Sequence, residues 1–262
     1  MQNGKDGNDG VGMRGGVEVA GMSDVGCQRR SNEDRYGYWE PSNDLELEEK
    51  GRLAVVADGM GGHEGGQDAS RIAVDAIKQI YAASPDGDPQ AVLAAAFRDA
   101  HARIHQFAAA HPELRGMGTT ATAVVLRANR LYYSHIGDSR LYLVRDGRIT
   151  RLTRDHSYVG SLVENGFITS EEAETHPQRH ILMAALGAGQ EFSPEMPEHP
   201  IPLVSGDVLL LCTDGLWGLV PDHELEQTVA GMRPQDACRA LIELAKKRGG
   251  HDNITVQVLR LD

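Results

Sequence analysis

Residues Thr119 to Leu152, TTATAVVLRANRLYYSHIGDSRLYLVRDGRITRL, hold four runs rich in apolar, β-branched and aromatic residues: Thr119 to Arg127, Leu131 to Ile136, Leu141 to Arg145 and Arg148 to Leu152. Ala128-Asn129-Arg130 and Asp146-Gly147 punctuate them as short turns, which predicts an antiparallel meander. Upstream the period changes from two to that of a helix. Gln67 to Ala82 places Ile72, Ala73, Ala76, Ile77 and Ile80 on one face, and Asp88-Pro89 opens a second helix through Leu93, Ala96, Phe97, Ala100 and Ile104. Further strands are predicted at Val17 to Ser23, Arg35 to Trp39 and Arg52 to Ala57. Downstream of a helical and irregular insertion, Ser157 to Gly189, come a strand at Asp207 to Cys212, helices at Asp222 to Met232 and Pro234 to Lys247, and a last strand at Asn253 to Leu259. Strands in both halves with helices in hairpin pairs give an antiparallel α+β protein, two stacked sheets with helices outside.

The chain has 262 residues, enough for one large domain with a substantial core. Met1 to Gly16, MQNGKDGNDGVGMRGG, is too glycine-rich to pack and is expected to be a flexible tail ahead of a single domain, 17–262. The tail has no apolar segment of a signal peptide, and nothing approaches the roughly 20 apolar residues of a membrane span. Three cysteines without metal-type spacing, Cys27, Cys212 and Cys238, fit a reduced cytoplasmic setting. A formal charge of −12 argues against nucleic acid as a partner. Part of that charge, Asp44 to Glu49, reads as a solvated loop. The expected protein is a monomer, bound to neither membrane nor nucleic acid.

Four aspartates sit where an apolar run meets a turn: Asp58 in LAVVADGMGGH, Asp138 in YYSHIGDSRLYLV, Asp214 in VLLLCTDGLWG and Asp252 in GGHDNITVQV. Asp-Gly is also ordinary turn chemistry, and Asp146-Gly147 is only that. Asp214 and Asp252 are unlike hairpin turns. If the strands neighbour one another the acids converge, and converging carboxylates need cations, hard ones such as Mg²⁺ or Mn²⁺ for an all-oxygen ligand set.

Other motifs fail on detail. In Gly59-Met-Gly-Gly-His-Glu-Gly-Gly66 the third glycine of a dinucleotide loop is replaced by Glu64, and Gln67 stands where a phosphate-loop lysine belongs. His63-Glu64-Gly-Gly-Gln67 lacks the second histidine of a zinc helix, and Gly137-Asp-Ser-Arg-Leu141 lacks the last glycine that would make Ser139 a nucleophile.

Together with SDVGCQRRSNEDR (Ser23 to Arg35), ADGMGGH, Thr119-Thr-Ala-Thr122, IGDSR, the DHS…LV…GFIT…EA…HPQR insertion, TDGL and DN, the chain resembles the metal-dependent Ser/Thr protein phosphatases, the PPM or type 2C family, in bacterial form. The motifs span Val17 to Leu261 in the family's order. The resemblance implies a four-layer α-β-β-α sandwich with two Mn²⁺ or Mg²⁺ ions at one edge. It implies that Asp58 bridges both metals, that the Gly59 carbonyl binds one, that Asp214 and Asp252 complete the other, and that Glu33 acts through water. It makes Arg29 the phosphate-binding arginine, Asp138 a ligand to a third cation, and 157–189 a flap beside the cleft. The implied reaction is direct attack of a metal-bridging water on phosphoserine or phosphothreonine of proteins, substrates of a Ser/Thr kinase, with no phosphoenzyme.

Two positions depart from the family pattern. Met60 stands where many eukaryotic relatives carry a histidine, so protonation of the leaving group is unassigned, and His180 replaces a small polar residue at the third-metal position. Two alternatives stay open at this level: a catalytically weak phosphoprotein-binding module, and a metallohydrolase of small phosphoesters.

Overall fold

The computed structural model describes residues 12–61, 64–85, 87–189 and 193–262. The chain enters through β1 (Gly12–Arg14), β2 (Val17–Asp24) and β3 (Arg35–Trp39), then passes helix α1 (Asp44–Lys50) into β4 (Arg52–Ala57) and β5 (Gly59–Met60). Two long helices follow, α2 (Glu64–Ala83) and α3 (Pro89–Ala110). The meander is β6 (Gly118–Thr119), β7 (Ala121–Arg127), β8 (Arg130–Ile136), β9 (Arg140–Arg145) and β10 (Arg148–Arg151). The insertion carries α4 (Tyr158–Glu164) and α5 (Ser170–Glu174). The rest is β11 (Ile201–Pro202), β12 (Val208–Cys212), α6 (Asp214–Trp217), α7 (Asp222–Gly231), α8 (Pro234–Lys247) and β13 (Ile254–Leu261).

The strands form a sheet in the order β1-β2-β13-β12-β9-β10, a second in the order β11-β8-β7-β4-β3, and a ribbon of β5 and β6, with antiparallel pairing throughout. Side-chain parity sorts the apolar residues into three layers. Ala54 and Val56 of β4 meet Leu209 and Leu211 of β12 between the sheets. On the opposite face of β4, Leu53, Val55 and Ala57 pack under Ala73, Ile77, Phe97 and Ile104 of α2 and α3. Val208, Leu210 and Cys212 of β12 pack under Leu241, Ile242 and Ala245 of α8. The sandwich is therefore α-β-β-α. Each central strand is covered on both faces, which is why LAVVA and VLLLC read as unbroken apolar runs although the sheets are antiparallel.

The hairpin turns are where the sequence places them: Ala128 and Asn129 take φ of 48° and 57°, and Asp146 and Gly147 take 51° and 68°. Three segments differ from expectation. Asp44 to Glu49 is not a loop but α1, which buries no residue and leaves Leu45 75% exposed. Local interactions hold it: Asn43 Oδ1 accepts the Glu46 N–H, Glu46 and Lys50 pair at 3.0 Å, and Gly51 closes the end at φ 75°. The expected tail ends sooner than Gly16, because the backbone of Gly12–Arg14 pairs with Val17–Val19; residues 1–11 lie outside the described part. The predicted strand from Thr119 breaks at Thr120, whose N–H turns to the Asp58 carbonyl at 2.9 Å.

His135 of β8 is wholly buried, bonded to Thr122 Oγ1 at 2.8 Å and to the Arg154 carbonyl at 3.0 Å. Burial, then the charge of His156, pulls its pKa down to about 4. A histidine whose folded pKa lies below its unfolded value binds fewer protons when folded, so stability is full above pH 6.5 and is lost as pH falls toward 4. At about 1.4 kcal/mol per unit the loss amounts to about 3 kcal/mol. Denaturant unfolding of wild type and His135→Asn in chelator from pH 7 to pH 4 is expected to show the wild type losing about 3 kcal/mol relative to the variant, a difference in which the opposite pH dependence of the buried acids cancels.

Candidate metal and phosphate site

Asp58 leaves β4 at the edge of the sandwich, and its backbone is held on both sides by Thr119 of β6 and by Thr120, between β6 and β7. Its N–H donates to Thr120 Oγ1 at 2.9 Å, and its carbonyl accepts the Thr119 hydroxyl at 2.8 Å. The Thr120 hydroxyl is also 2.7 Å from Ser139 Oγ, so one side chain ties the Asp58 strand to the turn carrying Asp138. That bond occupies the buried Ser139 hydroxyl. Asp138 is 8% exposed, and its carbonyl accepts the Trp217 indole N–H at 2.9 Å.

Asp214 and Asp252 are brought together by the crossing of the β12 exit over the start of β13. Only glycine fits at that crossing, since a Cβ on Gly215 would lie 1.9 Å from the Asn253 carbonyl. Glu33 meets a similar constraint. A Cβ on Gly66, in the first turns of α2, would fall 2.0 Å from Glu33 Oε2. The Glu33 N–H donates to Asn253 Oδ1 at 2.8 Å, and its carbonyl accepts the Ser70 hydroxyl at 2.5 Å and the Gly59 N–H at 3.2 Å. Asn253 also donates to the carbonyls of Val25 and Ser31, at 3.0 and 2.9 Å. It thereby ties down the loop carrying Arg29, whose Nη2 reaches Asp252 Oδ2 at 2.6 Å while the side chain stays 48% exposed.

The acids act on one another. Crowding by protein, then the charges of Asp34, Asp214, Asp138 and Asp252, raises the Asp58 pKa well above the carboxylate range. Burial and Asp252 raise Asp214, against which a bond to Asp58 and the charges of His180 and Arg29 pull it down. Burial, Asp214 and Asp155 raise Asp138, with Arg140 opposing. Burial raises Asp34 to about 7, with Asp214 and Asp252 adding to it and bonds from Thr255 and Thr213 opposing.

The structure thus brings together Asp58, Asp138, Asp214, Asp252, Glu33 and Arg29, with Gly59 opening the ribbon directly after Asp58. His180, in an exposed turn of the insertion, lies within electrostatic reach of Asp214. His63 lies outside the described residues. Two residues were not singled out from sequence. Asp34 is 1% exposed, takes the Thr213 hydroxyl on Oδ2 at 2.8 Å, and has an Oδ1 that is buried without a hydrogen-bond partner among the described residues. Its signal was its place beside Glu33 at the start of a strand. Asn253 was visible only as the residue after Asp252.

An all-oxygen cluster of mutually repelling carboxylates, one with an orphaned buried oxygen, fits hard divalent cations and does not fit a thiolate or imidazole metal. Among the described residues no helix is long and apolar enough to cross a membrane.

A family model described as protein phosphatase 2C matches residues 28–246. The chain is 41% identical over 242 residues to the serine/threonine protein phosphatase PstP of Mycobacterium tuberculosis, covering 92% of this chain and 44% of that protein, so it spans under half of that relative's length. It is 35% identical over 245 residues to the serine/threonine phosphatase stp of Listeria monocytogenes, covering 92% of this chain and 94% of that one. A crystal structure of the PstP catalytic domain in complex with two manganese ions superposes with a TM-score of 0.81 at 38% identity, covering 94% of this chain and 99% of that one.

Proposed function

We propose, from the premise that the chain belongs to the protein phosphatase 2C family, that residues 17–262 form a catalytic domain hydrolysing phosphoserine and phosphothreonine on proteins, with two Mn²⁺ or Mg²⁺ ions. The observation that carries this reading is the convergence of Asp34, Asp58, Asp138, Asp214 and Asp252 at one sandwich edge, with Arg29 at its rim.

Asp58, the Gly59 carbonyl, Asp214 and Asp252 would hold the ions, with Glu33 acting through water. When bound, the cations supply an activated water and positive charge against the transferring phosphoryl group. Thr119 and Thr120 hold the Asp58 backbone in place, and Asn253 fixes both Glu33 and the Arg29 loop. The half-exposed Arg29 fork suits a phosphate dianion at the cleft mouth. The Ser139 hydroxyl is buried and engaged by Thr120, which favours direct hydrolysis over a phosphoserine intermediate. The physiological substrates in this reading are phosphoproteins made by a Ser/Thr kinase.

The test is phosphate release from a phosphothreonine peptide, a phosphotyrosine peptide and p-nitrophenyl phosphate at equal Mn²⁺. The phosphothreonine peptide is expected to give the highest kcat/KM; a preference for the small ester would replace this reading with a small-phosphoester hydrolase, and binding without turnover would make the protein a phosphoprotein-binding module. Arg29→Ala removes a charge-assisted bond worth about 1.5 to 3 kcal/mol in ground and transition states alike, so KM for the peptide is expected to rise about tenfold or more with a smaller change in kcat. Large loss of turnover at unchanged KM would contradict a phosphate-holding role.

A third cation near Asp138, its site weakened by the imidazole of His180, belongs to the same reading. His180→Asn is expected to strengthen binding of an additional Mn²⁺ in calorimetric titration. Unchanged stoichiometry and affinity would place His180 outside that site.

A further inference from the structure

Among the described residues, one cluster of histidine and carboxylate lies apart from the acids of the site: His135, His156 and Glu195, whose ligand atoms all fall within 4.8 Å of one another. The spacing invites a cation, but the ring nitrogens are already committed. His135 uses one on Thr122 Oγ1 and the other on the Arg154 carbonyl. His156 Nδ1 accepts the Gly137 N–H at 3.3 Å, which leaves the proton on Nε2, facing Glu195 Oε2 at 3.7 Å. A metal on Nε2 would force the proton onto Nδ1, against the Gly137 N–H.

What the ring does touch is the residue before Asp138. Gly137 takes φ 104°, and a Cβ there would lie 2.5 Å from Thr120 Cγ2, so the turn is tight and depends on outside partners. His156 brackets it: its ring accepts the Gly137 N–H, and its own N–H donates to the Gly137 carbonyl at 2.7 Å. Its neighbour Asp155 braces the other side of the turn. Asp155 takes a two-pronged bond from Arg140, at 3.1 and 2.7 Å. Arg140 lies 3.5 Å over the Trp217 ring, and the Trp217 N–H holds the Asp138 carbonyl. The His156 carbonyl in turn accepts the Met183 N–H at 2.8 Å, so the same residue fastens the insertion.

We propose that His156 is a positioning residue for Asp138: by accepting the Gly137 N–H it fixes the turn that aims the Asp138 carboxylate into the acid cluster. The proposal rests on the reading of Asp138 as ligand to a third cation. It predicts that the atom at the Nδ1 position matters, not the bulk of the side chain. Asparagine can present an oxygen where His156 has Nδ1, whereas glutamine reaches the Nε2 position and leaves the Gly137 N–H without its acceptor.

The experiment compares wild type, His156→Asn, His156→Gln and Asp138→Asn by calorimetric Mn²⁺ titration, and by hydrogen exchange of the Gly137 amide in chelator. His156→Asn is expected to stay within about twofold of wild type in affinity for the Asp138-dependent cation and to keep the Gly137 amide protected, while His156→Gln loses about tenfold or more in affinity, the usual cost of removing a partner behind a ligand, together with that protection. Equal behaviour of the two His156 variants, in either direction, would overturn the positioning role. If Asp138→Asn leaves every Mn²⁺ site unchanged, the reading of Asp138 fails and takes the proposal with it. That outcome is recognised without reference to His156.

Discussion

Asp58→Asn is expected to lower turnover on a phosphothreonine peptide by about three orders of magnitude or more while leaving the sandwich folded. The change keeps the shape of the side chain and both clamps on the Asp58 backbone, from Thr119 and Thr120. It removes one charge from the middle of a cluster in which Asp58 feels Asp34, Asp214, Asp138 and Asp252 at once. Stability and activity should therefore move in opposite directions. In chelator the variant is expected to be at least as stable as wild type, because a source of repulsion is gone. A variant that unfolds would show that the loss of activity reports on the fold, and a variant retaining most activity would remove Asp58 from the centre of the site.

Mn²⁺ is expected to raise the thermal midpoint of the wild-type protein by about 10 °C when two sites are filled at roughly a hundred times their dissociation constants. The origin is the same acid cluster, its carboxylates buried and mutually repelling. Asp34, Asp58, Asp138 and Asp214 all have raised pKa values, with burial the largest cause, and bound cations reverse that cost. In Asp58→Asn the gain should largely vanish, since this carboxylate is among those that would hold the ions and lies amid the other acids. An equal shift in the variant would mean that Mn²⁺ stabilises the protein somewhere else.

Much of this was legible in the sequence because the sandwich covers its strands on both sides. β4 and β12 carry unbroken apolar runs that end at Asp58 and two residues before Asp214, so strand and acid are marked together. Helices α2 and α3 bury one face each and show it in their spacing. Helix α1 buries nothing, so periodicity is silent there. Its signals are Asn43 three residues before Glu46, the Glu46 to Lys50 pair and Gly51, a local code that a run of acids obscures. The ribbon of β5 and β6 is two residues long on each side and has no period to read. Asp34 and Asn253 were hidden differently, each beside an acid with an assigned role, their parts set by contacts across the sheet: Asp34 to Thr213, Asn253 to Val25, Ser31 and Glu33. Proximity of that kind is a property of topology. His156 is the same case, since the contact that gives it a role joins residues 19 positions apart across the β9–β10 hairpin.

Oxygen ligands that converge at one edge of the sandwich are proposed to hold the hard cations on which Ser/Thr phosphatase activity depends. The most direct test is phosphate release from a phosphothreonine peptide by one protein sample, first in excess chelator and then after Mn²⁺ or Mg²⁺ is restored. Background release in chelator and recovery with either ion are expected. Full activity in chelator, or recovery with Zn²⁺ alone, would contradict the proposal.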